Sequence, residues 1–417
     1  MGIKFRLLVM IFLQFFVWGA WLITISNYWF ITKQWGGEEF GAIFSTLGLA
    51  SLIMPAITGI IADRWVNAEK LYGVLHILGG LALACIPLVN HPGTFFWVIF
   101  GAMLCYMPTI SLSNSVAYNI LKTNGFDVVK VFPPIRVWGT IGFIAAMWVT
   151  NLTGNKASAN QFYIAAVAAV ILGVYSFSLP KCPPLRSTAK DAPLVELLGL
   201  NAFKLFGNLK LALFFIFSMF LGGALQLTNM YGDVFLSEFA SIPEYSDSLV
   251  VKYSTIIMSI SQVSETLFIL AIPFFLKRFG IKRVMLISMF AWVLRFAFFA
   301  YGDPGTGLWM IILSCIVYGM AFDFFNISGS LFIETTTDSR IRSSAQGLFM
   351  MMTNGFGAIF GSLVSGYVIE KYFTTNGKTD WHDVWLSFAV YALAIAIAFA
   401  FLFKHEHDPD AVENVRH

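Results

Sequence analysis

Two polar side chains in the middle of an apolar segment are the first candidates for chemistry in this sequence. Gln262 and Glu265 lie within Met258–Lys277, M-S-I-S-Q-V-S-E-T-L-F-I-L-A-I-P-F-F-L-K. A carboxylate at the centre of a bilayer costs roughly 2.5 kcal/mol or more on insertion scales. Residues three apart share one helix face. We therefore expect both side chains to face a polar cavity, where a carboxyl group can bind and release a proton.

Two further apolar segments carry polar residues at a similar depth, counted at the 1.5 Å rise per residue of a helix. In one segment, Gln226, Asn229 and Asp233 share a helical face. Gly222 and Gly223 precede them and are expected to loosen that helix. The other segment contributes Tyr318, Phe322 and Asp323.

Each of these groups also has a purely structural interpretation. Amides often bond between neighbouring membrane helices and then only hold the helices together. An acid can be neutralised by a buried cation, and Arg295 is the only basic residue that the sequence places deep in an apolar segment. Aromatic residues are most often packing or interface anchors. The convergence of amides, acids and aromatic rings favours a binding site.

The elements that position these residues are transmembrane helices. Of the 417 residues, 58% are hydrophobic and 12% are charged, whereas soluble domains have about 25% charged residues. Since a span needs about 20 apolar residues, the sequence predicts an all-α membrane protein. The twelve predicted spans are 5–31, 40–62, 71–90, 94–120, 134–153, 160–180, 210–236, 252–276, 283–302, 307–333, 343–370 and 382–403.

The distribution of basic residues predicts the orientation in the membrane. Of the 26 Lys and Arg residues, 20 lie in one set of loops and ends, five lie in the other set, and Arg295 lies within a span. Basic loops stay in the cytoplasm, so both termini and the long polar loop are expected there. The predicted domains are two six-helix bundles, 1–180 and 210–404, with a cytoplasmic linker, 181–209, and a cytoplasmic tail, 405–417.

Two basic turns suggest a repeat. Gly59–Lys70, G-I-I-A-D-R-W-V-N-A-E-K, follows the second span, and Leu276–Arg283, L-K-R-F-G-I-K-R, follows the eighth. The first turn resembles the G-x-x-x-D-R-x-G-R-R/K motif of the major facilitator superfamily, although Val66 and Asn67 replace the usual Gly and Arg. The resemblance implies a fold with two six-helix halves around a central cavity and a substrate site near the midplane.

Five runs resemble the bacterial nucleoside:proton symporters, the nucleoside permeases of this superfamily. They are L-Q-F-F-V-W-G-A-W-L from Leu13, F-P-P-I-R-V-W-G-T-I-G-F from Phe132, M-S-I-S-Q-V-S-E-T-L-F-I-L from Met258, A-F-D-F-F-N-I-S-G-S from Ala321 and S-A-Q-G-L-F-M-M-M-T-N-G-F-G from Ser344. The resemblance implies nucleoside import by proton symport with alternating access. It also implies a nucleoside site at Arg136, Thr140, Phe143, Gln226, Asn229, Gln262, Glu265, Tyr318, Phe322 and Asp323.

The chemistry of these residues agrees with a nucleoside. Aromatic rings stack on a base, and amides offer donors and acceptors to a base edge or a ribose hydroxyl. No Arg and Lys cluster accompanies them, which argues against a nucleotide. Arg136 is expected near the cytoplasmic mouth of the cavity, where it either gates or orients the site. Alternative functions are a proton-coupled sugar permease of the same fold and, in another class, a membrane-embedded enzyme or receptor.

The sequence also indicates how transport is driven. It has no Walker A motif for ATP and no evident sodium or metal site, so we expect no cofactor other than the proton as coupling ion. Glu265 is the predicted main proton carrier, and Asp323 is a ligand-binding acid or a second coupling group. The expected partners are a small nucleoside and the lipid bilayer of the bacterial inner membrane. Nucleic acid is not an expected partner, and a monomer is predicted.

Overall fold

A computed structural model of the protein describes residues 2–184, 200–338 and 341–405. These residues are predominantly helical, as the sequence predicts. The chain forms two compact units, Met1–Leu198 and Gly199–His417. The centre of the predicted linker and nearly all of the predicted tail lie outside the described residues.

The N-terminal unit contains six long helices within its described residues. They are α1 (Ile3–Gly19), α2 (Gly37–Arg64), α3 (Ala68–Cys85), α4 (Pro92–Thr123), α5 (Val128–Leu152) and α6 (Asn160–Ser176). Each overlaps one predicted span. Pro92 occupies the first turn of α4, where its missing N–H group costs no helical hydrogen bond.

Two glycines set the distance between α1 and α5. A Cβ atom at Gly142 would collide with the carbonyl oxygen of Phe12, and a Cβ atom at Gly19 would collide with that of Phe143. Small residues of this kind let two helix backbones approach closely. The sequence thereby fixes α5, which carries three of the predicted site residues, against α1.

The first predicted span, 5–31, is not one continuous α-helix. The α-helix ends at Gly19, and a π-helix occupies Asn27–Thr32 after a short irregular stretch. The Thr150 hydroxyl donates to the Ala20 carbonyl oxygen at 3.0 Å. A side chain from α5 therefore bonds the backbone where α1 ends, and hydropathy alone cannot reveal such an interruption.

The C-terminal unit is also helical. Its longer α-helices are α7 (Leu209–Glu238), α8 (Ser254–Tyr301), α9 (Leu308–Thr336), α10 (Arg342–Met350), α11 (Ala358–Val368) and α12 (Trp381–Leu402). A π-helix, Met351–Gly357, joins α10 to α11. A small antiparallel hairpin of β1 (Thr374–Thr375) and β2 (Lys378–Thr379) precedes α12.

Gly280 divides α8 into two helices, 254–279 and 281–301, which we call α8a and α8b. Its φ of 77° and ψ of 169° are non-helical, and glycine adopts a positive φ without steric cost. The break lies between the predicted spans 252–276 and 283–302, which are therefore separate helices. By length and composition, the described residues contain nine helices suited to crossing a membrane, with α8 counted once. The number of twelve crossings stays a prediction.

The prediction that Gly222 and Gly223 loosen their helix is wrong. Helix α7 continues without a break from Leu209 to Glu238. A Cβ atom at Gly222 would collide with the carbonyl oxygen of Thr353 in the π-helix, and one at Gly223 would lie 3.4 Å from the Cα atom of Gly361 in α11. The two glycines therefore allow close helix packing and do not interrupt α7.

Candidate functional site

In the N-terminal unit, the predicted site residues lie along one face of α5. The guanidinium carbon of Arg136 lies 4.2 Å from the centre of the Phe15 ring on α1, a cation–π contact. Thr140 and Phe143 follow on the same helix, and all three are half-buried. Close packing of α5 against α1 therefore holds Arg136 in place. Its role as a gate or an orienting residue stays a prediction.

Three amides in the C-terminal unit make no side-chain hydrogen bond to any described residue. Gln226 on α7 is 7% exposed, and Asn229 on α7 and Gln262 on α8a are half-buried. The side-chain oxygens of Gln226 and Gln262 are buried and have no hydrogen-bond partner within the described part of the chain. A buried polar group that lacks a hydrogen bond destabilises the folded protein by about 1–3 kcal/mol. The described contacts therefore give these amides no role in joining helices.

Two aromatic rings on α9 lie parallel to each other. The ring centres of Tyr318 and Phe322 are 6.5 Å apart, and their planes differ by 14°. Tyr318 is 4% exposed, and Trp292 meets it edge-on at 5.9 Å. Phe322 is half-buried. The rings thus have a defined orientation, and Phe322 offers a partly open face on which a flat ligand can stack.

The two predicted acids lie on helices that approach each other closely. Glu265 on α8a is half-buried, and Asp323 on α9 is 5% exposed. A Cβ atom at Gly319 would lie 2.6 Å from the backbone of Ser264, so α9 approaches α8a because residue 319 is glycine. Both carboxylates lie near enough to interact electrostatically with Tyr318. Glu265, Asp323 and Tyr318 are therefore neighbours.

Arg295 on α8b has contacts that the sequence does not predict. The sequence left open an ion pair with Glu265 or Asp323, but within the described ranges Arg295 has no carboxylate within 4.0 Å. It is fully buried and bonds to Thr228, Ser261 and the backbone of Ser314. Its position in an apolar segment makes Arg295 conspicuous in the sequence. Its hydroxyl and carbonyl partners could not be identified there, because they lie on three other segments.

Asp233 lies on the predicted face of α7 but is fully buried, and it accepts a hydrogen bond of 3.0 Å from Thr255. This contact joins α7 to the start of α8a. Asp233 therefore joins two helices, whereas no such contact is found for the three amides.

A buried polar cluster in the N-terminal unit was not predicted. The Gln14 side-chain oxygen accepts from the Tyr72 hydroxyl at 2.6 Å and from His76 Nε2 at 2.8 Å. Its nitrogen donates to Thr109 at 2.9 Å, and all four side chains are buried. Since the cluster satisfies its own members, it joins α1, α3 and α4.

One group of described residues has spacing that suits a metal ion. Asp380, His382 and Asp383 are exposed at the start of α12. Asp380 accepts from the Asp383 amide and His382 bonds the Asp383 carboxylate. The bond to Asp380 caps the helix, and nothing else marks the group as functional.

A profile of the nucleoside H+ symporter family matches residues 1–408. The nucleoside permease NupG of Escherichia coli K12 is 51% identical over 94% of both chains, and the xanthosine permease of the same organism is 52% identical over 94% of both. A crystal structure of a NupG mutant superposes with a TM-score of 0.94 at 50% identity, covering 97% of this chain and 100% of that one.

We expect Gln226→Leu to leave the ligand-free protein at least as stable as the natural one. Leucine fills a similar volume and removes a buried oxygen that has no partner. Thermal unfolding in detergent measures the change as a shift in Tm. Thr228→Val on the same helix is the control, because it removes the hydroxyl that Arg295 bonds at 3.1 Å and should lower Tm. An equal loss of Tm in both variants would mean that Gln226 holds helices together.

Proposed function

The chain belongs to the nucleoside H+ symporter family, and we propose that it imports nucleosides across the bacterial cytoplasmic membrane by proton symport. It is a secondary transporter and not an enzyme. One observation supports the location of the substrate site: three amides in the C-terminal unit, Gln226, Asn229 and Gln262, make no side-chain hydrogen bond to any described residue. A bound nucleoside supplies the missing partners.

Recognition combines hydrogen bonding with stacking. The three amides offer donors and acceptors to the base edge and the ribose hydroxyls. Phe322, supported by the parallel ring of Tyr318, offers a surface to the base. In the N-terminal unit, we propose that Thr140 and Phe143 offer a hydroxyl and a ring to the nucleoside and that Arg136 has an orienting or gating role.

Proton coupling is assigned to the two acids. A carboxyl group that binds a proton in the outward-facing state becomes neutral and can donate a hydrogen bond to the nucleoside. Loss of that proton to the cytoplasm restores the charge and weakens the contact, which favours release. We propose Glu265 as the main carrier because it is half-buried, and Asp323 as a ligand-binding acid or second coupling group. The proton is the only coupling species in this scheme, with no further cofactor.

The proposed domain bounds, membrane orientation and oligomeric state are those that the sequence predicts. We propose helical domains 1–180 and 210–404, a linker 181–209 and a tail 405–417. Both termini and the linker lie in the cytoplasm, as the 20 basic residues on that side require by the positive-inside rule. The transporter acts as a monomer in the inner membrane.

Counterflow in reconstituted vesicles tests the function. Vesicles loaded with unlabelled nucleoside should accumulate labelled uridine transiently, and external purine and pyrimidine nucleosides should compete, because one site exchanges its ligand. Ribose, free bases and disaccharides at the same concentrations serve as controls. Competition by sugars alone would contradict the proposal and favour a sugar permease. Binding without counterflow would favour a receptor.

Gln262→Ala should raise the Kd for nucleosides about 5- to 150-fold, because it leaves a polar group of the ligand without a partner at a cost of roughly 1–3 kcal/mol. Calorimetry in detergent measures the change. Gln346→Ala is a matched control in the same unit, since that amide already donates to the Ser330 carbonyl at 2.8 Å. Direct recognition is refuted if alanine at 226, 229 and 262 in turn leaves the affinity unchanged.

Glu265→Gln should abolish nucleoside-driven proton uptake while it preserves part of the counterflow exchange. The amide keeps the shape and the hydrogen-bonding capacity of the side chain but cannot ionise. Proton uptake into vesicles at an imposed pH gradient measures coupling, and Asp323→Asn is the paired variant. Coupling that persists in Glu265→Gln and disappears in Asp323→Asn would reverse the two assignments. Coupling in both variants would rule the mechanism out.

A further inference from the structure

The guanidinium group of Arg295 lies at the meeting point of the helices that carry the C-terminal site residues. It is fully buried in an apolar segment, where a charged side chain is costly and most often functional. No ion pair within the described ranges offsets this charge. Hydroxyls, a carbonyl, the Cys315 thiol and aromatic faces surround it instead, and its Nη2 atom has no hydrogen-bond partner among the described residues.

Its hydrogen bonds reach three helices. Nε donates to Thr228 on α7 at 3.1 Å. Nη1 donates to Ser261 on α8a at 3.3 Å and to the Ser314 carbonyl on α9 at 2.7 Å. Thr228 and Ser261 each precede one of the amides, Asn229 and Gln262, and Ser314 lies one helical turn before Tyr318. One side chain therefore sets the relative positions of three backbones beside the site.

Two aromatic rings complete the surroundings. The guanidinium carbon lies 4.8 Å from the centre of the Tyr318 ring and 4.9 Å from that of Phe299. The planar guanidinium group stacks on aromatic faces, whereas a lysine ammonium group is a point charge without such a plane. Tyr318 in turn lies parallel to Phe322. The orientation of the proposed stacking surface thus depends on Arg295 through Tyr318.

We propose that Arg295 is a positioning residue for nucleoside binding, which acts by fixing the ring of Tyr318 and, through it, Phe322. The inference rests on the proposed function, since it assigns a role at the same site. It predicts that the contribution of Arg295 to affinity disappears when Tyr318 no longer presents a ring. It also predicts that positive charge alone cannot replace the guanidinium group.

A double-mutant cycle tests the inference. Calorimetry with uridine and adenosine in detergent yields the Kd and, separately, the stoichiometry, which reports the folded fraction. Arg295→Met should raise Kd about 30-fold, the factor that corresponds to a desolvated cation–π contact. In a Tyr318→Leu background the same substitution should change Kd less than about twofold. The control background is Tyr318→Phe, which keeps the ring. In that background, Arg295→Met should again raise Kd by the larger factor.

Arg295→Lys is the second variant and does not depend on Tyr318→Leu retaining measurable affinity. It keeps the charge, and its Kd should be as weak as that of Arg295→Met. A Kd in Arg295→Lys equal to that of the unsubstituted protein would overturn the inference. So would an equal change in Kd on Arg295→Met in the unsubstituted and Tyr318→Leu backgrounds. A lower stoichiometry with an unchanged Kd would assign Arg295 to folding alone, which also overturns it. If the unsubstituted protein binds no nucleoside, the proposed function itself is wrong.

Discussion

A polar side chain inside the hydrocarbon of a bilayer has no water to bond, and the C-terminal unit is organised by this constraint. Arg295 meets it with hydrogen bonds to three helices and with two aromatic faces, although its Nη2 atom has no hydrogen-bond partner among the described residues. One carboxylate oxygen of Asp233 meets it by accepting from Thr255. The side chains of Gln226, Asn229 and Gln262 have no hydrogen bond to any described residue. The contrast is between side chains that bond a neighbouring helix and amides for which the described residues provide no such bond.

The sequence predicts most of the helices because hydropathy and the period of a helix depend only on local composition. It fails where a distant side chain changes the backbone. The Thr150 hydroxyl donates to the Ala20 carbonyl oxygen where α1 ends. The sequence of residues 5–31 does not indicate that hydrogen bond. Gly222 was misjudged for the same reason: its neighbour is Thr353, more than a hundred residues away, and only the packed structure shows that the missing Cβ atom makes room for a backbone.

The candidate site was predictable to the extent that polar residues in apolar segments are conspicuous. Every site residue predicted in the C-terminal unit lies on α7, α8a or α9, and the Arg295 contacts show that these helices meet beside Asn229 and Gln262. The part that could not be predicted is the distinction between bonded and unbonded groups. Asp233 and Gln226 look alike in the sequence, since both are polar residues on one face of one helix, and only their neighbours differ.

The one-residue turn at Gly280 has a consequence for biogenesis. It makes α8a and α8b a helical hairpin, whose arms are connected by the bond from Arg295 to Ser261. Synthesis proceeds from the N-terminus, so Thr228 and Ser261 already exist when the ribosome makes Arg295, whereas Ser314 does not. Two of its three hydrogen-bond partners are thus at hand when this charged residue leaves the translocon. The order of residues along the chain therefore allows two of these hydrogen bonds to form before Ser314 is made.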